Sequence, residues 1–175
     1  SMLNTLDPDQ TPAETYDGVW ETLEPGGAHP LALFRRGITW ETADRFELRF
    51  DALRLASVIP VRDERGVVAG AIHWFPPETN PPLKYINSPG LPRERILFGL
   101  WYLLQGWPQT FAGTIFLAEG PFDVMWLQQH GIPAVGLMGS YLGPDQIKLL
   151  EGFARVVIIA DNDKPGRKAR DTIAN

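Results

Sequence analysis

The chain has 175 residues, a net charge of −5 and no cysteine. This length suits one domain or two small lobes that share an interface, and a hydrophobic content of 44% provides for a buried core. The lack of cysteine excludes disulfides and thiolate zinc sites within this chain, and no apolar run is long enough to cross a membrane. We therefore expect a cytoplasmic protein with no membrane partner.

The charges are unevenly distributed along the chain. Residues 1–34 contain six acidic and no basic residues, whereas residues 35–100 contain ten basic and eight acidic residues. The middle of the chain is therefore the candidate for contacting phosphate groups. A mixed, solvated surface explains the same charges, so the charge distribution alone does not decide between these interpretations.

The first 34 residues are predicted to form an acidic tail or linker, because prolines and a Gly-Gly pair interrupt any periodic pattern. A short helix around residues 13–23 is the only element expected there. Residues 35–92 are predicted to form a small α+β lobe. It begins with a helix over residues 40–48, which Thr39 can cap.

A β-hairpin is predicted next in this lobe. Residues 57–61 and 67–75 are rich in β-forming side chains, and Asp63 and Gly66 between them suit a turn. The proline pairs at 76–77 and 81–82 bracket a loop that should leave the sheet, because proline cannot donate to its hydrogen-bond ladder.

Residues 93–175 alternate between helical and strand patterns, which predicts an α/β lobe with a parallel sheet flanked by helices. The predicted elements are helix 93–105, strand 114–118, helix 122–130, strand 134–138, helix 145–153, strand 156–160 and helix 165–174. In such sheets ligands bind beyond the carboxyl ends of the strands.

Carboxylates follow two of these strands. Glu119 ends the first, with Asp123 one turn into the next helix, and Asp161 and Asp163 end the last. Because side chains alternate along an extended chain, Asp161 and Asp163 point to the same side. Converging carboxylates repel one another unless a divalent cation neutralises them, and oxygen ligands favour Mg²⁺ or Mn²⁺. Such a site suits phosphoryl transfer, although Asp163 could instead cap the following helix.

Both acidic motifs resemble those of the TOPRIM fold, which DnaG-type primases, topoisomerases and some nucleases share. Residues 117–124 read Leu-Ala-Glu-Gly-Pro-Phe-Asp-Val, similar to the primase form in which Glu-Gly precedes Asp-Val. Residues 159–166 read Ile-Ala-Asp-Asn-Asp-Lys-Pro-Gly, similar to the Asp-x-Asp motif.

Upstream segments resemble primases in particular. Residues 84–89 read Lys-Tyr-Ile-Asn-Ser-Pro, close to the primase motif Lys-Tyr-Leu-Asn-Ser-Pro. Arg36-Gly37-Ile38 and residues 59–70 also follow the pattern of the bacterial and phage DnaG-type family. The resemblance covers about residues 35–174 and implies a TOPRIM lobe over residues 93–175.

The resemblance implies a metal-dependent nucleotidyltransferase that makes short RNA primers on single-stranded DNA from ribonucleoside triphosphates. It implies Mg²⁺ or Mn²⁺ as cofactor, no zinc in this chain, and a replicative helicase as a partner reached through segments absent here. The implied metal ligands and catalytic residues are Glu119, Asp161 and Asp163, assisted by Asp123. The implied nucleotide or DNA contacts are Lys84, Asn87, Arg36 and Arg93.

The sequence also departs from the family pattern. Primases usually carry an arginine just after the second hairpin strand, whereas residues 72–75 here read Ile-His-Trp-Phe. Trp74 could stack on a base or belong to the core. A further acidic motif expected after the Asp-x-Asp helix is not reached before Asn175. Two alternatives stay open at this point: a TOPRIM nuclease that uses the same acids, and a catalytically incomplete module that binds single-stranded DNA or a replication partner.

Overall fold

The computed structural model describes residues 23, 33, 35–77, 80–106, 113–139 and 141–159. These residues form a four-stranded antiparallel sheet followed by a three-stranded parallel sheet. The helices are α1 (Trp40–Arg45), α2 (Leu100–Leu104), α3 (Pro121–Gln129) and α4 (Pro144–Leu150). The strands are β1 (Arg49–Asp51), β2 (Ala56–Arg62), β3 (Val68–Trp74), β4 (Tyr85–Asn87), β5 (Thr114–Ala118), β6 (Ala134–Gly136) and β7 (Arg155–Ile158).

Helix α1 begins as the sequence predicts and ends three residues earlier. The Thr39 hydroxyl accepts a hydrogen bond from the Thr42 amide at 3.3 Å, which satisfies a free amide in the first turn. After Arg45 the chain turns back, because Glu47 adopts a φ of 56° and the Leu48 amide donates to the Ala43 carbonyl. The predicted extension to residue 48 is therefore wrong.

The predicted hairpin is confirmed as strands β2 and β3. The Asp63 carboxylate accepts hydrogen bonds from the amides of Arg65 and Val67 at 3.0 and 2.9 Å and so shapes the turn between them. Gly66 has a φ of 87°, and a Cβ added there would collide with the Trp101 indole. Only glycine fits this position without rearrangement.

Two strands of the antiparallel sheet were not predicted. Strand β1 pairs with β2, and β4 pairs with β3, which gives the order β1-β2-β3-β4. Strand β4 is the Tyr-Ile-Asn segment of the motif at residues 84–89, and Tyr85 pairs with Trp74. Both strands are three residues long, too short for their alternation to stand out from a loop.

The predicted long helix over residues 93–105 is wrong, because α2 covers only Leu100–Leu104. Phe98 exchanges two backbone hydrogen bonds with Gly136, at 2.8 and 2.9 Å, and so lies beside the parallel sheet. Gly99 then takes a φ of 86°, outside the helical region, and α2 begins after it.

The parallel sheet has the order β6-β5-β7, and β5 has its predicted bounds. Leu117 pairs with Ile158, and beyond β7 the Ile159 amide donates to the Leu117 carbonyl at 2.8 Å. Strands β6 and β7 and helices α3 and α4 are present where predicted, and none of their ends is shifted by more than three residues. The helices predicted over residues 13–23 and 165–174 lie outside the described residues, apart from Leu23.

Both sheets contribute to one hydrophobic core. Trp74 of β3 contacts Phe122 of α3 edge-to-face, with ring centroids 4.8 Å apart, and both are almost fully buried. Leu33 also belongs to this core. The predicted lobe boundaries at residues 34 and 92 stay predictions. A second cluster, which includes Leu97 and Leu117, involves the parallel sheet and α2. This arrangement confirms the mixed α/β class.

No helix in the described part of the chain is long and apolar enough to cross a membrane.

Candidate functional site

Glu119 and Asp123 lie together at the carboxyl end of β5. Glu119 follows the strand directly and its Oε1 atom is buried. The Asp123 carboxylate accepts a hydrogen bond from the Gly120 amide at 3.2 Å and so caps the start of α3. Both acids line a cavity of about 220 Å³, together with Trp126 and Ile159. The structure therefore places two of the four predicted metal ligands at one cavity.

The other two predicted ligands, Asp161 and Asp163, lie outside the described residues. Ile159, two positions before Asp161 in the sequence, lines the cavity that holds Glu119. Across residues 35–159 with their gaps, no group of three potential ligands could hold a metal ion. The predicted metal cluster consequently stays a prediction.

A larger cavity of about 520 Å³ lies between β3 and α3, and we call it the inter-sheet pocket. The residues that line it are Arg35, Arg36, Trp74, Pro77, Phe122, Asp123 and Trp126. Asp123 and Trp126 line both cavities, so the two adjoin along one face of α3.

Arg36 is held at the aromatic wall of the inter-sheet pocket. Its guanidinium carbon lies 5.0 Å from the ring centroid of Trp74 and 4.8 Å from that of Phe122, both within cation–π range. The positive charge of Arg36 therefore sits beside the cavity, and its contact with nucleic acid stays a prediction.

Strand β4 brings Tyr85 close to Arg36 and Asp123. Burial raises the pKa of the Tyr85 hydroxyl to about 12; the charge of Arg36 opposes this rise, and the charge of Asp123 adds to it. Lys84 is exposed beside it, with its Nζ atom 5.3 Å from the Tyr85 ring centroid. Asn87, at the other end of β4, pairs with Ile72 of β3. Tyr85 does not itself line the pocket, but it brings the motif at residues 84–89 next to Arg36 and Asp123, which do.

Arg93 is not brought to this pocket. Its carbonyl accepts a hydrogen bond at 2.9 Å from the Gln146 side chain of α4, and its own side chain is exposed. Trp74, which could have been a stacking residue, is 1% exposed and belongs to the core. Its proposed role as a base platform is therefore excluded.

Sequence reasoning missed Arg35, Tyr85 and Trp126. Trp126 is 42% exposed, and it follows Asp123 by three residues on α3. Residues three apart on a helix share a face, so this spacing placed Trp126 beside an acid already assigned to the site. That signal was present in the sequence.

Comparisons with known proteins match different parts of the chain, and they agree with the resemblance seen in the sequence. A family described as Toprim-like matches residues 116–175. DNA primases of Clostridium acetobutylicum and Escherichia coli K12 are 34% and 33% identical over 125 residues, which are 69% of this chain. A structure of the DnaG primase catalytic domain bound to ssDNA superposes with a TM-score of 0.74 at 25% identity, covering 91% of this chain and 63% of that one. Over most of its length, the chain is therefore similar to DnaG-type primases.

The chain spans about a fifth of the length of these two primases, 20% and 21% respectively. The Toprim-like match begins inside β5 and contains all four acids predicted as metal ligands. The match to the primase catalytic domain covers 91% of this chain, so it extends to the antiparallel sheet as well. Both sheets thus have counterparts in the catalytic domain of a primase.

Proposed function

We propose that this chain is the catalytic part of a DNA primase that joins ribonucleotides into short RNA primers on single-stranded DNA. The observation that carries the proposal is the pair of adjoining cavities along α3. One holds Glu119 and Asp123, and the other has Arg35 and Arg36 in its wall. Nucleotidyl transfer has two requirements: acids that can hold a metal ion and, next to them, cations that can hold phosphate.

The residues fit a hard divalent cation. All four proposed ligands carry carboxylates, which suit Mg²⁺ or Mn²⁺, and a buried carboxylate oxygen such as Glu119 Oε1 favours a cation nearby. Glu119, Asp161 and Asp163 would hold the ion, and Asp123 would support them. When bound, the ion would offset negative charge on the reacting phosphate oxygens.

The proposed substrates are single-stranded DNA as template and ribonucleoside triphosphates. A primase relative has been described bound to ssDNA, which supports the first of these. Lys84, Asn87 and Arg36 would contact nucleotide or template, and Arg93 would belong to a more distant part of the basic surface. Lysine and arginine supply such contacts without reading sequence. We propose that the protein acts in the cytosol, with a replicative helicase bound through segments outside this chain.

Replacement of Asp161 by asparagine tests the proposal. The chain is incubated with single-stranded DNA, labelled ribonucleotides and Mg²⁺ or Mn²⁺, and products are separated on a gel. The parent should make short RNA, and Asp161→Asn should make none, because the amide is a neutral and weaker metal ligand. Glu151→Gln, which removes an exposed acid at the end of α4, is the matched control and should retain synthesis.

Circular dichroism should show the same fold for all three proteins. Synthesis by Asp161→Asn at the parent rate would remove this residue from the mechanism. If the parent makes no RNA and degrades the template, the acids serve a nuclease. If it makes no RNA and leaves the template intact, the chain is not by itself a primase.

A further inference from the structure

The inter-sheet pocket has the size of a small-molecule site. Its volume of about 520 Å³ falls within the range of roughly 300–1,000 Å³ that is common for such sites. It is bounded on one side by β3 and on the other by α3, and those elements share a hydrophobic core. Its walls are therefore fixed by the folded state.

The chemistry of the walls indicates a planar, negatively charged ligand. Phe122 and Trp126 contribute aromatic surface, and Arg35 and Arg36 contribute positive charge. Arg36 already lies against the Phe122 ring, so its guanidinium is held at the aromatic wall instead of swinging freely into solvent. A nucleotide combines the matching groups, a flat base and a phosphate.

Trp126 is the wall residue with an accessible indole. It is 42% exposed, whereas Trp74 and Phe122 are 1% and 3% exposed. The His130 ring packs on the Trp126 ring, with centroids 4.1 Å apart. Gly37 also lies close to the indole, since a Cβ added at Gly37 would be only 3.2 Å from Trp126 Nε1. These contacts hold the indole in one orientation while a large part of it stays open. Asp123, one turn before it, connects this surface to the cavity of Glu119.

We propose that Trp126 is a stacking surface for a nucleobase, and that the inter-sheet pocket holds one nucleotide with its phosphate towards Arg35 and Arg36. This inference rests on the proposed function and assigns a nucleotide position to the same site. The nucleotide belongs either to single-stranded DNA or to a free ribonucleoside triphosphate, since both present a base and a phosphate. The test separates these two sources.

The experiment measures equilibrium binding of a labelled oligothymidylate and, separately, of a fluorescent ATP analogue with Mg²⁺. Four proteins are compared: the parent, Trp126→Ala, Trp126→Phe and Trp40→Ala. Trp40 is the matched control, because it is also exposed, at 51%, and does not line the pocket. Loss of a stacking indole should weaken binding of the ligand that uses it roughly ten-fold, while phenylalanine should restore most of the affinity. Trp40→Ala should bind like the parent.

A second measurement uses the parent alone, so that it does not depend on how a variant folds. Oligothymidylates with one abasic position, moved along the strand, are compared with the intact strand. If the DNA occupies the pocket, one abasic position should weaken parent binding by a similar factor, and Trp126→Ala should be insensitive to that position. If only the ATP analogue responds to Trp126→Ala, the pocket holds the free nucleotide.

Each outcome bears on the inference separately from primer synthesis. Equal affinity of the parent and Trp126→Ala for both ligands overturns it, even if the parent makes RNA. Binding that depends on Trp126 supports it, even if the parent makes no RNA and the proposed function fails. A parent that binds neither ligand overturns both.

Discussion

At the scale of single residues, Glu47 is the centre of a polar cluster with Arg62 and Tyr102. Its carboxylate accepts two hydrogen bonds from Arg62, at 2.6 and 2.7 Å, and one from the Tyr102 hydroxyl at 2.8 Å. Burial acts to raise the pKa of Glu47, but the hydrogen bonds from Arg62 and Tyr102 outweigh it and leave the pKa below its usual value. The cluster connects the antiparallel sheet to α2, which carries Tyr102.

Replacement of Glu47 by glutamine should therefore lower stability in a pH-dependent way. Because the folded-state pKa is depressed, the ionised carboxylate stabilises the protein above its unfolded pKa of about 4.3, and this contribution is lost as pH falls through the folded value. At pH 7 the variant should lose about 2 kcal/mol of unfolding free energy, the usual contribution of hydrogen bonds to a charged group. Urea titrations at several pH values measure it.

The stabilities of the parent and the Glu47→Gln variant should begin to converge as pH falls below about 4.3, the unfolded pKa, and should meet once pH lies below the lowered folded pKa. Glu151→Gln serves as control and should track the parent throughout. A stability difference that stays constant from pH 7 to pH 3 would mean that Glu47 acts through packing and not through its charge.

At the scale of elements, the sequence predicted the parallel strands well and the segment before them badly. The bounds of strand β5 could be predicted from the sequence, because a mainly apolar run lies between Gly113 and Glu119-Gly120. The region from Arg93 to Phe98 has a helical composition, but tertiary hydrogen bonds to Gly136 override it. Such pairing depends on a residue some 40 positions away, which no local pattern reveals.

Gly99, which directly precedes α2, is where a close tertiary contact can be tested. It has a φ of 86°, and a Cβ there would lie 2.7 Å from a Val124 methyl carbon and 3.0 Å from the Gln128 amide nitrogen. Gly99→Ala should cost about 3 kcal/mol, from backbone strain and overpacking together. Gly131→Ala, with a φ of 79° and no atom within 4 Å, should cost about 1 kcal/mol from backbone strain alone. Thermal and urea unfolding of both variants gives the comparison, and equal losses would show that the contact with Val124 is unimportant.

At the scale of the whole molecule, the antiparallel and parallel sheets are held together by shared packing. Trp74, Phe46 and Ile72 lie in one cluster with Phe122, Val124 and Met125 of α3. A single core of this kind predicts one cooperative unfolding transition for both sheets, because neither face can be exposed without the other.

Phe122→Ala should lower the stability of both sheets at once, by about 3–5 kcal/mol, since it removes an aromatic ring from that core. Far-ultraviolet circular dichroism and tryptophan fluorescence should report the same midpoint in the parent and in the variant. Two separate transitions, with only one of them shifted, would show that the sheets unfold independently.

The candidate site was predictable where it depends on local motifs and less so where it depends on packing. Glu119 and Asp123 could be found because parallel strands deliver residues to a common edge. Arg36 was identified by resemblance, but its place on Trp74 and Phe122 depends on the packing of β3 against α3. Arg93 lies away from the inter-sheet pocket, with its carbonyl bonded to Gln146 of α4, and its role as a DNA contact stays a prediction.

The edge-to-face contact of Trp74 with Phe122 has a consequence for recognition. Because these rings belong to the core and also line the inter-sheet pocket, folding of the core itself forms this part of the cavity wall. A ligand then meets a preorganised receptor and loses little free energy to ordering its walls. Such a pocket selects ligands by shape. Bulky groups added to the ring of a bound molecule should therefore weaken its binding, whereas groups added at the end of the molecule that faces solvent should not.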